Sequence, residues 1–290
     1  MSNGIEQRAS VLNYGEYEPL LTRAGELYPE IFGERELRMY GELFANNSVI
    51  SPERLASIQP EYGLFHPRED IHPLIYSREG RDLTPAGSKQ SLVAFLGPSS
   101  GGKDSILDIV EANYEYARLI TTTTRPPRAD ERLEARYKYV TPQVFAEMIG
   151  KGEFAEFLPP EKQGKHPYGT TIRAVEQALQ RELPLIIWRG DILGLPTMRF
   201  WTENTHREVA FLPAFVLPGL SLTELWQRQT IKRGVEQAIE WRFPKGLREI
   251  HTAAQLVDYL VVNPTDPSGE PRGAAAATLA LFRYFESKLS

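Results

Sequence analysis

The chain has 290 residues, enough for a substantial buried core in one large or two small domains, and its 41% hydrophobic and 24% charged content is that of an ordinary globular protein. A net charge of −5, from 33 basic and 38 acidic residues, gives no electrostatic basis for binding nucleic acid or an anionic membrane. The lack of cysteine excludes disulfides and thiolate metal sites and suits a reducing cytoplasm, the expected location; MSNGIEQRAS has no leader pattern, and no apolar run approaches the roughly 20 residues that span a bilayer.

The first 88 residues differ in texture from the rest. Apolar residues recur at three- and four-residue spacing in EPLLTRAGELYPEIF and RELRMYGELFANN, which predicts two short helices. SPERLASIQ predicts a third, with Ser51 as N-cap and Pro52 in its first turn. From Pro60 to Ser88, prolines at 67, 73 and 85 break any period, and the stretch reads as a loop or linker lying on a neighbouring surface. His66 and His72 within it read as surface residues rather than metal ligands, since no further ligand stands at a regular spacing.

From Ser91 onward strands and helices alternate. SLVAFL, ARLITTTT, LPLIIWRG, REVAFLPAFVLPG and LVDYLVVN are strand candidates. KDSILDIVEANYEYA, TPQVFAEMIGKG, TIRAVEQALQRE, SLTELWQRQTIKRG and AAAATLALFRYFESKL are helix candidates, with Thr141 and Pro142 opening the second and a Ser221–Glu224 capping box opening the fourth. Continuous apolar strands separated by helices predict an α/β fold, a parallel sheet covered on both faces.

FLGPSSGGKDS, residues 95–105, follows the first of these strands and opens a helix. Four residues separate Gly97 from Gly102, and Lys103 follows at once, the spacing of a phosphate-binding loop. Phosphate oxygens need N–H groups at close range; glycines permit that approach, and the helix N-terminus adds a favourable dipole. Gly97, Pro98, Ser99, Ser100, Gly101, Gly102, Lys103, Asp104 and Ser105 are therefore candidate ATP-binding residues, with Lys103 supplying charge between the β- and γ-phosphates. Asp104 stands where such loops carry Ser or Thr. A carboxylate is a better ligand for a hard cation, which makes Asp104 the candidate Mg²⁺ contact, although it also brings negative charge close to phosphate. Ser105, one residue further round the helix by about 100°, is expected to point elsewhere. A merely structural glycine-rich turn is disfavoured because strand, spacing, lysine and helix occur together.

A second constellation, ITTTTRPPRADERLEARYKYV, sets Arg125 and Arg128 around a Pro-Pro corner that stiffens the loop and can aim both guanidiniums at one anion. The segment resembles the guanylate kinase signature, a Thr-Thr-Arg-x-Pro-Arg loop followed some residues later by a tyrosine. In the same order, KGEFAEF is similar to that family's Gly-Glu-Phe-x-Glu-Trp element and HPYGTT to its Tyr-Tyr-Gly-Thr element. IIWRGDILG resembles its strand with an acidic residue three before a glycine, and LTELWQRQTIKRG with Arg242 resembles its arginine-bearing lid. The resemblance runs from about Leu92 to Asn263. It implies a P-loop kinase unit at 89–290, with an acceptor-binding subdomain at about 121–182 and a lid at about 226–246, after a mainly helical and irregular extension at 1–88.

Position by position, the resemblance implies that Arg125, Arg128, Tyr137 and Tyr168 hold the acceptor nucleotide's phosphate, while Thr121, Glu156 and Thr170 read the purine edge. Asp191 would lie near the metal and acceptor, Asn263 near the adenine, and Arg233 and Arg242 would close over the transferring group. Lys103, Arg125, Arg233 and Arg242 are the candidate catalytic residues. Three departures from the family pattern stand out: Asp104 in the loop, Arg189 where an acidic residue is usual, and a short segment between Gly234 and Arg242. The leading reading is ATP- and Mg²⁺-dependent phosphorylation of GMP to GDP, with small-molecule nucleotides as partners. The Gly-Lys-Asp-Ser run resembles the loop of ribose bisphosphokinases, which makes a phosphorylated sugar the second candidate acceptor. A third reading is a non-catalytic guanylate kinase-like binding domain, as in membrane-associated scaffolds; Lys103 with both loop glycines argues against it. The N-terminal extension could hold a protein partner or cover the active site.

Overall fold

The computed structural model describes residues 14–80, 87–127, 136–159, 166–264 and 270–289. Its centre is a seven-stranded sheet in the order β1 (Phe65–Pro67), β2 (Ile75–Arg78), β11 (Tyr259–Pro264), β10 (Val209–Gly219), β3 (Gln90–Leu96), β9 (Leu185–Trp188) and β4 (Ala117–Arg118). The strands from β11 to β4 run parallel, and β1 and β2 add an antiparallel edge.

The parallel strands are apolar throughout because both faces are covered. Along β3, Leu92, Ala94 and Leu96 enter one core while Val93 and Phe95 enter the other; along β10, Phe211 and Phe215 part from Leu212 and Val216 in the same way. One face is covered by α4 (Lys103–Glu111) and α10 (Arg272–Glu286), through Ile106, Val110, Leu281 and Phe282. The opposite core includes Leu195 and Met198 of α7 (Leu195–Thr205) and Leu247, Ile250 and Ala254 of α9 (Phe243–Leu256).

Over α9 lies a layer built from the first part of the chain. In α1 (Tyr14–Leu27) and α2 (Glu34–Ala45), Tyr17, Leu20, Tyr40 and Phe44 are buried in the same core as α9. Tyr17 stacks on Phe44 with ring centroids 5.0 Å apart, and Phe44 meets Phe243 at 5.5 Å. The Tyr62 hydroxyl donates to the Ile250 carbonyl. Packed from both sides, α9 buries even Arg248, Glu249 and His251. Its sequence is nonetheless amphipathic, with Phe243, Leu247, Ile250 and Ala254 along one stripe and Lys245, Arg248, Glu249 and Thr252 along another; packing buries most of both.

Within the stretch read as a linker, residues 60–80 are more ordered than that reading expects. It supplies β1 and β2, with Ile75 paired to Val261 of β11. Strands of three and four residues are too short to display an alternating pattern, and an edge strand tolerates Pro67. ARLITTTT, read as one strand, divides in two: β4 stays in the main sheet, while β5 (Thr121–Thr123) leaves it.

With β6 (Tyr137–Tyr139), β7 (Phe154–Leu158) and β8 (Tyr168–Thr171), β5 forms a second sheet in the order β6-β5-β8-β7, accompanied by α5 (Pro142–Gly150) and α6 (Ile172–Leu179). The caps lie where the sequence puts them. The side chains of Ser51, which caps α3 (Pro52–Leu55), and Thr141 accept from Arg54 N and Val144 N, and α8 (Leu222–Arg233) opens with both bonds of the Ser221–Glu224 box. Among the described residues no helix is long and apolar enough to cross a membrane.

Candidate active site

The end of β3 runs through the glycine loop into α4. Gly97 and Gly102 have φ of 149° and 97°. A Cβ on Gly97 would lie 2.8 Å from the Val216 carbonyl oxygen, and one on Gly102 would lie 2.3 Å from Asn263 Nδ2, so the loop is pressed onto β10 and β11 where no side chain fits. From behind, Asn263 Nδ2 donates to the Gly101 carbonyl at 2.9 Å, and from α8 Gln229 Nε2 donates to the Ser99 carbonyl at 3.1 Å. Lys103 curls over the loop, donating to the Gly97 carbonyl and, at 3.1 Å, to that of Pro98. Burial moves its ammonium below the usual lysine range, against the opposing pull of Glu249 and Asp104.

The second sheet faces this loop. The Arg125 backbone N–H donates to Thr123 Oγ1 at 3.2 Å, and its guanidinium lies 5.3 Å from the Tyr137 ring centroid and 5.7 Å from that of Tyr139. Tyr168 meets Tyr137 edge-on at 6.2 Å. Deeper, Glu156 on β7 is only 5% exposed. Its Oε1 accepts from Thr170 Oγ1 at 2.8 Å, which in turn accepts from Trp188 Nε1 of the main sheet at 2.9 Å. Burial pushes the Glu156 carboxyl up to about 7, with the Thr170 hydroxyl acting the other way. Gly194 leaves room for it, since a Cβ there would come within 2.8 Å of Glu156 Oε2.

Between the two sheets, the segment after β9 brings in Arg189 and Asp191. Asp191 Oδ2 is 2.6 Å from Lys245 Nζ of α9, and its Oδ1 accepts from the Leu193 N–H at 2.9 Å. Burial would raise the Asp191 carboxyl, but Lys245 foremost, with Leu193 and Arg248, carries it down to about 2. Glu249, 3.7 Å from Lys245, is pushed by burial up to about 7. Arg189 pairs with Asp104 at the start of α4 and donates to the Tyr137 hydroxyl at 3.1 Å.

Many of these groups line one cavity of about 590 Å³. Its wall on the loop side includes Gly97, Pro98, Ser99, Ser100, Gly102, Lys103, Asp104 and also Ser105, which was expected to point away. The facing wall includes Thr121, Arg125, Tyr137, Glu156 and Tyr168, and Asp191 and Arg242 complete the set of predicted residues present. Arg242 Nη1 lies 3.4 Å from Ser99 Oγ, which joins the segment just before α9 to the loop. Gly101, Asn263 and Thr170 line no part of the cavity; the first two brace the loop and the third holds Glu156. Arg128 and the Arg233 side chain lie outside the described residues. Lys245 and Glu249, on the cavity wall, were not anticipated, although Pro244 in a first helical turn and the Lys-to-Glu i, i+4 spacing after it are a readable helix-start signal.

A glycine-and-lysine loop between strand and helix, facing an arginine backed by aromatic rings on a separate small sheet, defines the class of P-loop kinases that hold their acceptor on a subdomain of its own. The guanylate kinase family model matches residues 89–187. The guanylate kinase of Bacteroides thetaiotaomicron is 30% identical over 200 residues, covering 68% of this chain and 90% of that protein. That of Frankia casuarinae is 30% identical over 193 residues, covering 66% and 95%. The crystal structure of guanylate kinase from Anaplasma phagocytophilum aligns with 67% of this chain and 85% of its own at 19% identity, with a TM-score of 0.48. The chain belongs to the guanylate kinase family.

Proposed function

We propose that the protein transfers the γ-phosphoryl group of ATP to GMP, giving ADP and GDP. The observation that carries this reading is the shared cavity, which puts Lys103 and its loop on one wall and Arg125, Tyr137, Tyr168 and Glu156 on the other. In this reading the loop N–H groups and Lys103 hold the ATP phosphates. Arg125, with Arg128 beyond the same Pro-Pro corner, and the two tyrosines hold the phosphate of GMP. Glu156, when ionised, accepts from the N1–H and exocyclic amino group of guanine, a donor pair that adenine lacks. Thr121 lines the same edge, and Thr170 orients the carboxylate.

The γ-phosphorus to ADP-oxygen bond breaks as a GMP phosphate oxygen bonds to the same phosphorus. Total charge is unchanged across the reaction, so no proton needs to move and no general base is assigned. Catalysis is positioning plus compensation of charge by Lys103, Arg125 and, from the lid segment, Arg242 and Arg233. Lid closure would exclude water from the transfer. In this arrangement Asp191 acts through its ion pair, holding the Lys245 ammonium at the cavity wall. Mg²⁺ would neutralise charge on the β- and γ-phosphates. It keeps most of its waters and takes few protein oxygens; Ser105 at the loop's end is a donor of the right kind, while the Asp104 carboxylate is already paired with Arg189. Among the described residues no group of three or more acidic or histidine side chains forms a metal site independent of the phosphates.

The test is ADP formation by purified protein with ATP, Mg²⁺ and each of GMP, AMP and a ribose bisphosphate. Turnover with GMP is expected. Turnover with the sugar phosphate alone, or GMP binding without turnover that Lys103→Ala leaves unchanged, would overturn the reading.

A further inference from the structure

Two positions that depart from the family pattern face each other in the cavity. Asp104 belongs to the first turn of α4, and Arg189 follows the last residue of β9. The parallel pairing of β9 with β3, Trp188 beside Ala94, carries residue 189 alongside the mouth of the glycine loop. There Arg189 Nη1 donates to Asp104 Oδ1. Its Nη2 donates to the Tyr137 hydroxyl at 3.1 Å, and its guanidinium carbon lies 5.7 Å from the Tyr137 ring centroid. Arg125 lies against the same ring, at 5.3 Å. The Arg189 side chain is only 9% exposed, yet it lines the cavity. It therefore stands between the loop that holds the donor and the clamp that holds the acceptor, fixed at one edge by a carboxylate and at another by a phenol.

Resting on the reading above, we propose that Arg189 is a catalytic residue whose guanidinium contacts the γ-phosphoryl group during transfer, and that Asp104 is its positioning residue rather than a metal ligand. A guanidinium has five N–H donors in a planar fork, so contacts to a carboxylate and a phenol leave donors to direct at phosphate. The pairing also accounts for a carboxylate tolerated beside phosphates. Arg189 offsets its charge, whereas an unpaired carboxylate there would repel the substrate. Holding the guanidinium before substrate arrives removes the cost of ordering a long side chain during the reaction.

The experiment compares the full-length wild type with Arg189→Gln, Arg189→Lys, Asp104→Asn and the Asp104→Asn/Arg189→Gln double variant. Dissociation constants for ADP and for β,γ-imido-ATP are measured by calorimetry over a Mg²⁺ titration, alongside kcat and KM with GMP. The wild type should prefer β,γ-imido-ATP over ADP. Arg189→Gln should lose about 10- to 100-fold of that preference, the range for a hydrogen bond to a charged group; the unmasked Asp104 charge weakens ADP and the ATP analogue together, so an unchanged thermal unfolding curve is the control for folding. Arg189→Lys should lose less. Asp104→Asn should move preference and kcat in the same direction by a smaller factor, leave the Mg²⁺ dependence unchanged, and add nothing to Arg189→Gln in the double variant. Full preference in Arg189→Gln, or no preference in the wild type, overturns the proposal. So does an Asp104→Asn variant whose defect is cured by raised Mg²⁺ and adds to that of Arg189→Gln. A wild type that prefers the ATP analogue through Arg189 but does not phosphorylate GMP would sink the acceptor assignment and leave Arg189 in place.

Discussion

Lys245 Nζ sits 2.6 Å from Asp191 Oδ2, joining α9, on which the N-terminal layer is packed, to the segment at the end of β9 that borders the cavity. Both side chains are largely buried, at 14% and 10% exposure. Removing one partner strands the other charge where water reaches it poorly. Lys245→Met is therefore expected to destabilise the fold by about 3 to 5 kcal/mol, and Asp191→Asn added to it should recover part of that loss. Urea unfolding of the two variants measures both quantities; a Lys245→Met effect under about 1 kcal/mol would mean the pair is solvated. Because the Asp191 carboxyl is held down at about 2, its share of stability is present above the ordinary value of 3.8 and lost as the pH falls through about 2.

Glu156 titrates the other way. Its carboxyl is raised by burial to about 7, so the ionised form that can accept from guanine dominates above that pH and is lost below it. KM for GMP is expected to rise as the pH falls from 8 to 6, approaching about tenfold per unit at the acid end. Glu156→Gln should flatten that profile and reduce the preference for GMP over AMP. An unchanged GMP-to-AMP ratio of kcat/KM would remove Glu156 from base recognition.

The same raised carboxyl bears on stability. In the fold it keeps its proton above the ordinary value of 4.5, so its favourable contribution is full below that value and disappears as the pH rises through about 7. Glu249, also raised to about 7, titrates over the same window. The difference in Tm between wild type and Glu156→Gln, followed from pH 5 to 8, isolates the Glu156 part. The variant should gain on the wild type toward pH 8, and parallel curves would contradict the burial argument.

Lys103 already reaches the loop carbonyls of Gly97 and Pro98 and faces Arg125 across the cavity. Lys103→Ala should lower kcat by about 10²- to 10³-fold, the scale for losing one preorganised donor to developing charge, while KM for GMP changes only a few-fold. Steady-state kinetics decide it, and a kcat within threefold of wild type would refute the loop's part in transfer.

Phe44 tests how far the first part of the chain is structural. It is fully buried between Tyr17 and Phe243. Phe44→Ala should cost about 3 to 5 kcal/mol by leaving a cavity over α9. Thermal unfolding that barely moves would show that the N-terminal layer detaches from α9 without consequence.

What the sequence by itself determined is what neighbours along the chain can encode. The glycine loop, the Ser51, Thr141 and Ser221 caps, and the alternation of apolar strands with helices depend on residues within about one helical turn of each other, and each was legible. Motif order also named Thr121, Arg125, Tyr137, Glu156, Tyr168, Asp191 and Arg242, which line the cavity, but not Lys245 and Glu249 beside them. The tertiary structure alone decided which groups share a charge. Asp104 and Arg189 stand 85 positions apart, and nothing local to either announces the other. Lys245 meets Asp191 because packing turns the polar stripe of α9 inward; the stripe is visible in the sequence, its burial is not. The hairpin of β1 and β2 likewise becomes strand only because β11 offers an open edge. Backbone hydrogen bonds to that edge, rather than any period in the hairpin's own residues, hold it in place.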